Sequence, residues 1–85
     1  MSEEEIGVIT HYFEKVNVAA IEVNKGELHI GDTIHIKGHT SYFTTAIESM
    51  QIEHNQVEKA TEGEAVGLKV PERARVHDKV YKVTE

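Results

Sequence analysis

The sequence predicts an all-β fold, specifically a small, closed, antiparallel β-barrel of six strands, and three observations predict it. Valine and isoleucine number eighteen against two leucines, and seven threonines raise the β-branched share further. Such side chains are stiff at the first torsion and suit a pleated surface better than a helix. Six glycines and one proline punctuate the chain at fairly regular distances, as short strands joined by tight turns require. No window of about ten residues shows the three- and four-residue apolar spacing of an amphipathic helix.

The strands follow in order. The first runs from Ile6 to Phe13 and the second from Val16 to Val23, with Glu14-Lys15 leaving room only for a tight hairpin. Asn24-Lys25-Gly26 makes the next turn, where Gly26 takes the left-handed conformation that a side chain disfavours. Leu28 and Ile30 lead to a corner at Gly31-Asp32, after which Ile34 and Ile36 point to one side and Thr33, His35 and Lys37 to the other. Gly38 to Ser41 is a polar turn into the longest strand, Tyr42 to Glu53. There Phe43 and Ile47 share one parity and Met50 and Ile52 the other, so a β-bulge near Glu48-Ser49 is expected. A phase slip of this kind bends a strand and favours a closed barrel. After a turn at Thr61 to Glu64, the fifth strand, Ala65 to Val70, turns Val66, Leu68 and Val70 inward, and Gly67 leaves space for a neighbouring backbone. Pro71 ends it. The sixth strand is Lys79 to Val83. Of each adjacent aromatic pair, Phe13 and Phe43 are expected in the core and Tyr12 and Tyr42 partly outside. Residues 1–5 read as an acidic disordered tail and 6–85 as one domain.

Eighty-five residues suffice for one small core and are too few for two. No apolar run approaches the ~18 residues of a membrane-spanning helix, and Met1-Ser2-Glu3-Glu4-Glu5 lacks the basic start of a secretory signal. The absence of cysteine excludes disulfides, thiolate metal sites and cysteine nucleophiles; a cytoplasmic location is the simplest expectation. A formal charge of −6 opposes general coating of phosphate backbones.

Candidate chemistry is sparse. There are six histidines, but His29, His35 and His39 are separated by a turn and lie on no helix, so they read as solvated surface residues and no metal is expected. No Gly-x-Ser-x-Gly elbow or His-Glu-x-x-His motif is present, Glu62 and Glu64 flank a turn glycine, and the chain reads as non-enzymatic and without cofactor. Charge is uneven: residues 1–42 carry a net −4, whereas Lys69, Arg73, Arg75, Lys79 and Lys82 stand against only Glu72 and Asp78. Those five bases are the candidate contacts to RNA phosphates. The competing reading is a solvated loop that keeps a sheet edge from pairing.

Several segments together resemble the β-barrel second domain of translation GTPases such as elongation factor Tu. They are Gly7-Val8-Ile9, Ile21-Glu22-Val23-Asn24-Lys25-Gly26, Leu28-His29-Ile30-Gly31-Asp32, Ile47 to Ile52, Ala60 to Leu68 and Asp78-Lys79-Val80. The likeness spans about Ile6 to Val83 and is that of a free-standing translation elongation factor-like protein; the chain is also similar to the barrel appended to U32-type peptidases. No phosphate-cradling Gly-x-x-x-x-Gly-Lys-Ser/Thr loop is present, so no nucleotide binding is expected. The elongation-factor resemblance implies that Glu48 helps hold a tRNA end and that the partner is RNA, as tRNA or on the ribosome. The peptidase resemblance implies a protein partner, the chain serving as a detached domain of a larger enzyme.

Overall fold

The computed structural model describes residues 2–84. It holds ten strands and, among the described residues, no helix: β1 (Ser2–Phe13), β2 (Val18–Val23), β3 (Glu27–His29), β4 (Thr33–Lys37), β5 (Tyr42–Ala46), β6 (Met50–Ile52), β7 (Asn55–Val57), β8 (Lys59–Thr61), β9 (Ala65–Lys69) and β10 (Lys79–Thr84). Eight of them form one antiparallel sheet in the order β5-β4-β10-β1-β2-β9-β6-β7, and β3 pairs with β8 in a separate ribbon. The all-β class matches the sequence expectation. The six-stranded closed barrel does not, because the large sheet has eight strands and, among the described residues, no ladder joins its two edges.

One extra strand of the large sheet comes from the expected long strand, which divides into β5 and β6, and the other, β7, lies beyond its end. Ile47 leaves the ladder: its N–H donates to the Asp32 carbonyl at 2.8 Å and its carbonyl accepts from Gly31 N–H at 2.8 Å. The chain then bends through Glu48 and Ser49, so Ile47 and Met50 are both buried despite opposite parity. The phase slip is therefore met by a break in place of the expected one-residue bulge. Beyond the break β6 pairs with β9 only at Met50 and Gln51. Thr45, Ala46, Glu48, Ser49, Lys69, Val70 and Pro71 line a cleft of about 240 Å³ where closure was expected.

The bulges sit in β1. Against β10 the register shifts between Glu5 and Gly7, which makes Ile6 the extra residue, and against β2 it shifts between Ile9 and His11. The first shift buries Ile6, whose carbonyl accepts from the Asn24 and Lys25 amides at 2.7 and 3.2 Å. The second reverses the parity that follows. Tyr12 therefore packs against the core and Phe13 stands 48% exposed, the opposite of the expected assignment. Gly7 has no room for a side chain, since a Cβ there would collide with the Glu22 carbonyl.

Ile9, Ile21, Val23, Leu28, Ile34, Ile36, Ile47, Met50, Val66, Leu68 and Val80 fill the interior, with the β3–β8 ribbon contributing Leu28 and Ala60. Each fully buried side chain of this size contributes roughly 1.5–3 kcal/mol of transfer free energy.

Residues 2–5 are strand, not a disordered tail. They pair with Tyr81–Thr84, and the Ser2 and Thr84 hydroxyls hydrogen-bond at 2.8 Å. Consecutive like charges would repel one another on a shared face, but alternation along a strand sends them to different cations. Glu3 meets Lys37, Glu4 meets Lys25 at 3.7 Å and Glu5 meets Lys79 at 3.6 Å. Met1, the first residue of the expected tail, lies outside the described residues, as does Glu85.

Candidate functional site

The outer faces of β2, β9 and β6 follow from period-two alternation. Ala19, Ile21 and Val23 of β2 face the core, which turns Val18, Ala20 and Glu22 outward. Val66 and Leu68 of β9 face the core, which turns Ala65, Gly67 and Lys69 outward. Register places Gly67 between Ala20 and Gln51. Three very small side chains on neighbouring strands leave a trough, with Gly67 at its floor. A Cβ at Gly67 would stand 3.3 Å from a Val18 methyl, a tight contact, and at an ordinary 3.9 Å from the Gln51 carbonyl, so the space here is limited by the Val18 side chain and not by the neighbouring backbone expected from the sequence.

The trough is a cleft of about 350 Å³, predominantly apolar, walled by Phe13, Val16 and Val18 on one side and by Gln51, Glu53 and His54 on the other. The first wall is the β1–β2 hairpin, and it is fastened down. Tyr12 Oη donates to Asn17 Oδ1 at 3.1 Å, and the Val70 N–H donates to the Asn17 carbonyl at 2.9 Å. The Phe13 ring also packs on His11, centroids 4.4 Å apart. Even so, Val16 remains 55% exposed. The second wall is the two-residue β6–β7 turn, where Glu53 and His54 both have positive φ, 51° and 67°. Such turns favour Asn-Gly, and residues with larger side chains store backbone strain that is characteristic of binding sites.

The opposite outer face, over β1, β10 and β4, is filled. His35 is only 7% exposed, contrary to the solvated histidine expected. Its Nδ1 lies 2.7 Å from Glu3 Oε2, and its ring meets Tyr42 edge-on at 4.5 Å. Lys37 Nζ lies 2.6 Å from the other Glu3 oxygen and 4.8 Å from the Tyr81 ring centre. Hydrogen bonds from Lys37 and then His35 hold the Glu3 carboxyl below its ordinary pKa, and the Glu3 bond holds the Lys37 ammonium above its own. His35 Nε2 is buried without a hydrogen-bond partner among the described residues.

The five bases singled out in the sequence do not share one face. Lys69 projects outward from β9 beside the 240 Å³ cleft that Glu48 also lines. Arg73 and Arg75 lie together in the loop after β9, near His11 and Tyr12, with Arg73 paired to Glu14. Lys79 and Lys82, three apart on β10, point to opposite sides, Lys79 toward Glu5 and Lys82 toward Asp32 at 3.3 Å and the Glu27 carbonyl at 3.2 Å. Asp78 holds the loop by accepting from the Arg75 amide at 2.9 Å, and its carboxylate occupies the space a side chain at Gly38 would need. Glu64 accepts from the Thr61 amide at 2.7 Å and the Thr61 hydroxyl at 2.9 Å, which holds its carboxyl below the ordinary pKa; Glu64 braces its turn. No group of three or more His, Cys, Asp or Glu side chains placed to hold a metal occurs among the described residues. What the arrangement offers chemically is a binding surface, and the residues that build it, Phe13 and Val16 with Ala20, Ala65 and Gly67, were not singled out as a site in the sequence.

No protein-family model matches the chain. Three curated proteins do, two of them from Porphyromonas gingivalis and both named collagenase. The chain is 40% identical over 78 residues to a protein of Porphyromonas gingivalis named collagenase, a match that takes in 91% of this chain and 22% of that protein. It is 44% identical over 82 residues to an uncharacterized protease of Methanocaldococcus jannaschii, covering 95% of this chain and 20% of that protein. The chain thus spans about a fifth of the length of these relatives. Among solved structures, the crystal structure of the C-terminal domain of a putative U32 peptidase from Geobacillus thermoleovorans superposes with a TM-score of 0.88 at 21% identity, over 95% of this chain and 93% of that one. The selenomethionine variant of that domain gives 0.85 at 21% identity, over 91% and 96%. Of the two resemblances visible in the sequence, these likenesses support the one to the U32-type domain, and the one to elongation factors rests on the sequence segments alone. The fold of this chain is that of the C-terminal domain of the Geobacillus protein.

Proposed function

We propose that the chain is a non-catalytic accessory domain of a U32 peptidase-like protein, and that it docks on the peptidase portion through the cleft between Phe13–Val16 and Glu53–His54. The observation that carries this reading is the cleft itself: an apolar trough with a glycine floor, one wall holding two half-exposed apolar side chains and the other a strained turn. The likenesses supply the occupant. A domain that matches only a fifth of its relatives has, in those proteins, the remaining four-fifths as a neighbour. A stable docking surface buries upward of about 1,000 Å² in total, so the cleft would be the centre of a wider contact.

The RNA partner expected from Lys69, Arg73, Arg75, Lys79 and Lys82 has less support. Arg73, Lys79 and Lys82 each have an acidic partner, and the five side chains do not converge. The test is calorimetric titration of the chain with the separately produced peptidase portion of a U32-type protein from the same source. The expected result is a one-to-one complex that a Phe13→Ser, Val16→Lys double variant weakens at least tenfold, since about 1.4 kcal/mol of lost anchoring suffices. A wild-type chain that forms no complex at ~100 μM, or a double variant that binds as tightly, would contradict the proposal.

A further inference from the structure

We infer that the outer edge of β5 binds an extended polypeptide segment by strand addition. This rests on the accessory-domain reading and names what such a domain would hold for a peptidase: an unfolded stretch of polypeptide. The hydrogen bonds at the two ends of the β4–β5 ladder set its phase. Gly38 N–H donates to the Ser41 carbonyl at 2.7 Å, and Ile47 N–H donates to the Asp32 carbonyl at 2.8 Å. In the antiparallel register between them, Ile36 faces Phe43 and Ile34 faces Thr45 as hydrogen-bonded pairs. The main-chain groups of Tyr42, Thr44 and Ala46 therefore point away from β4, where no strand among the described residues pairs with them. All three residues are exposed, Tyr42 to 74%.

Sheet edges are ordinarily blunted by charge, proline, a bulge or brevity. Tyr42-Phe43-Thr44-Thr45-Ala46 has no charge and no proline, its ladder with β4 has no register shift, and four of its five residues are aromatic or β-branched. The opposite edge, β7, is three residues long and lies between Glu53-His54 and Glu58-Lys59. Beside the end of β5 the 240 Å³ cleft separates Thr45 and Ala46 from Lys69, Val70 and Pro71. Donors and acceptors that recur every second residue, about 6.8 Å apart, are matched by another extended backbone and by no compact ligand. A second copy of this chain is the poorer occupant, because each copy carries a charge of −6. The favoured segment is extended, not acidic, and alternates β-branched residues.

The probe is an end-capped heptapeptide, Lys-Thr-Val-Thr-Val-Thr-Lys, added to the 85-residue chain while amide hydrogen exchange is followed by NMR. At saturation, exchange of the Tyr42, Thr44 and Ala46 amides is expected to slow at least tenfold, with Phe43 and Thr45 unchanged. A peptide N-methylated at every threonine and valine should give no slowing. Thr44→Pro, which removes an outward N–H and leaves the β4 ladder intact, should weaken peptide binding at least tenfold, and Phe13→Ser should leave it unchanged. No slowing at millimolar peptide overturns the inference; so does slowing that the methylated peptide reproduces, or slowing that grows with protein concentration in the absence of peptide, which would mark self-pairing. The exchange measurements with the two peptides use the wild-type chain, so they stand even if Thr44→Pro fails to fold. Because they do not involve the Phe13 cleft, docking can fail while peptide capture survives, and the reverse.

Discussion

The two outer faces of the large sheet differ in a way that its single core layer does not explain. Over β1, β10 and β4 the outward residues are Glu3, Glu5, His35, Lys37, Lys79 and Tyr81, and they satisfy one another through ion pairs and a ring stacked beneath a cation. Over β2, β9 and β6 the outward residues at the trough floor are Ala20, Ala65 and Gly67, too small to satisfy anything. One face is closed by its own side chains; the other is left bare between two walls. Long charged side chains can cover apolar surface as well as carry charge. Where they are withheld, the sheet is available to something else.

The comparison can be broken most severely from beneath. Ile21 lies on the core side of β2, and Ile21→Ala is expected to cost about 2–5 kcal/mol in urea unfolding, destabilising the sheet that carries both faces. A loss below 1 kcal/mol would mean that the core is not packed as described. On the filled face, His35→Ala removes a buried ring that joins Glu3 to Tyr42, and a loss of roughly 1–3 kcal/mol is expected by the same measurement. The bare face behaves oppositely. Phe13→Ser is expected to shift stability by no more than about 0.5 kcal/mol, because its ring is half in solvent, while docking is lost. A stability loss as large as that of His35→Ala would erase the distinction between the faces.

The filled face also has a pH signature. The Glu3 carboxyl is held low by Lys37 and His35, so its contribution is complete above the ordinary glutamate range and fades as pH falls through its lowered value. Lys37 is held high, so its contribution is complete below the ordinary lysine range and fades as pH rises through its raised value. The difference in melting temperature between the wild type and Glu3→Gln should therefore be largest near neutrality and shrink toward both extremes. A difference independent of pH would place the stabilisation of this face elsewhere.

Much of this was legible in the residues. β-branching and glycine punctuation identified an all-β chain, and the parity conflict between Phe43–Ile47 and Met50–Ile52 located a real interruption. The same parity test, applied to Ile6 and Ile9, would have found the bulge that makes Ile6 an extra residue in β1. The second bulge was not legible in that way, and with it went the assignment of Tyr12 and Phe13, since one extra residue flips every side chain beyond it. The burial of His35 was hidden because outward parity implies solvent only when nothing long reaches over it, and here Tyr42 stands on the adjacent β5 and Glu3 reaches across β10 from β1. The bases failed to gather for a related reason: Lys79 and Lys82 are close in sequence, but an odd spacing on a strand separates them. The trough itself depends on cross-strand register between Ala20, Gly67 and Gln51, which chain order does not specify.

The most direct measurement is an amide chemical-shift map of the labelled chain titrated with the unlabelled peptidase portion of a U32-type protein. Perturbations centred on Phe13, Val16, Ala20 and Gly67 are the predicted result. Perturbations centred on Glu3, His35 and Lys37, with the trough silent, would contradict the account.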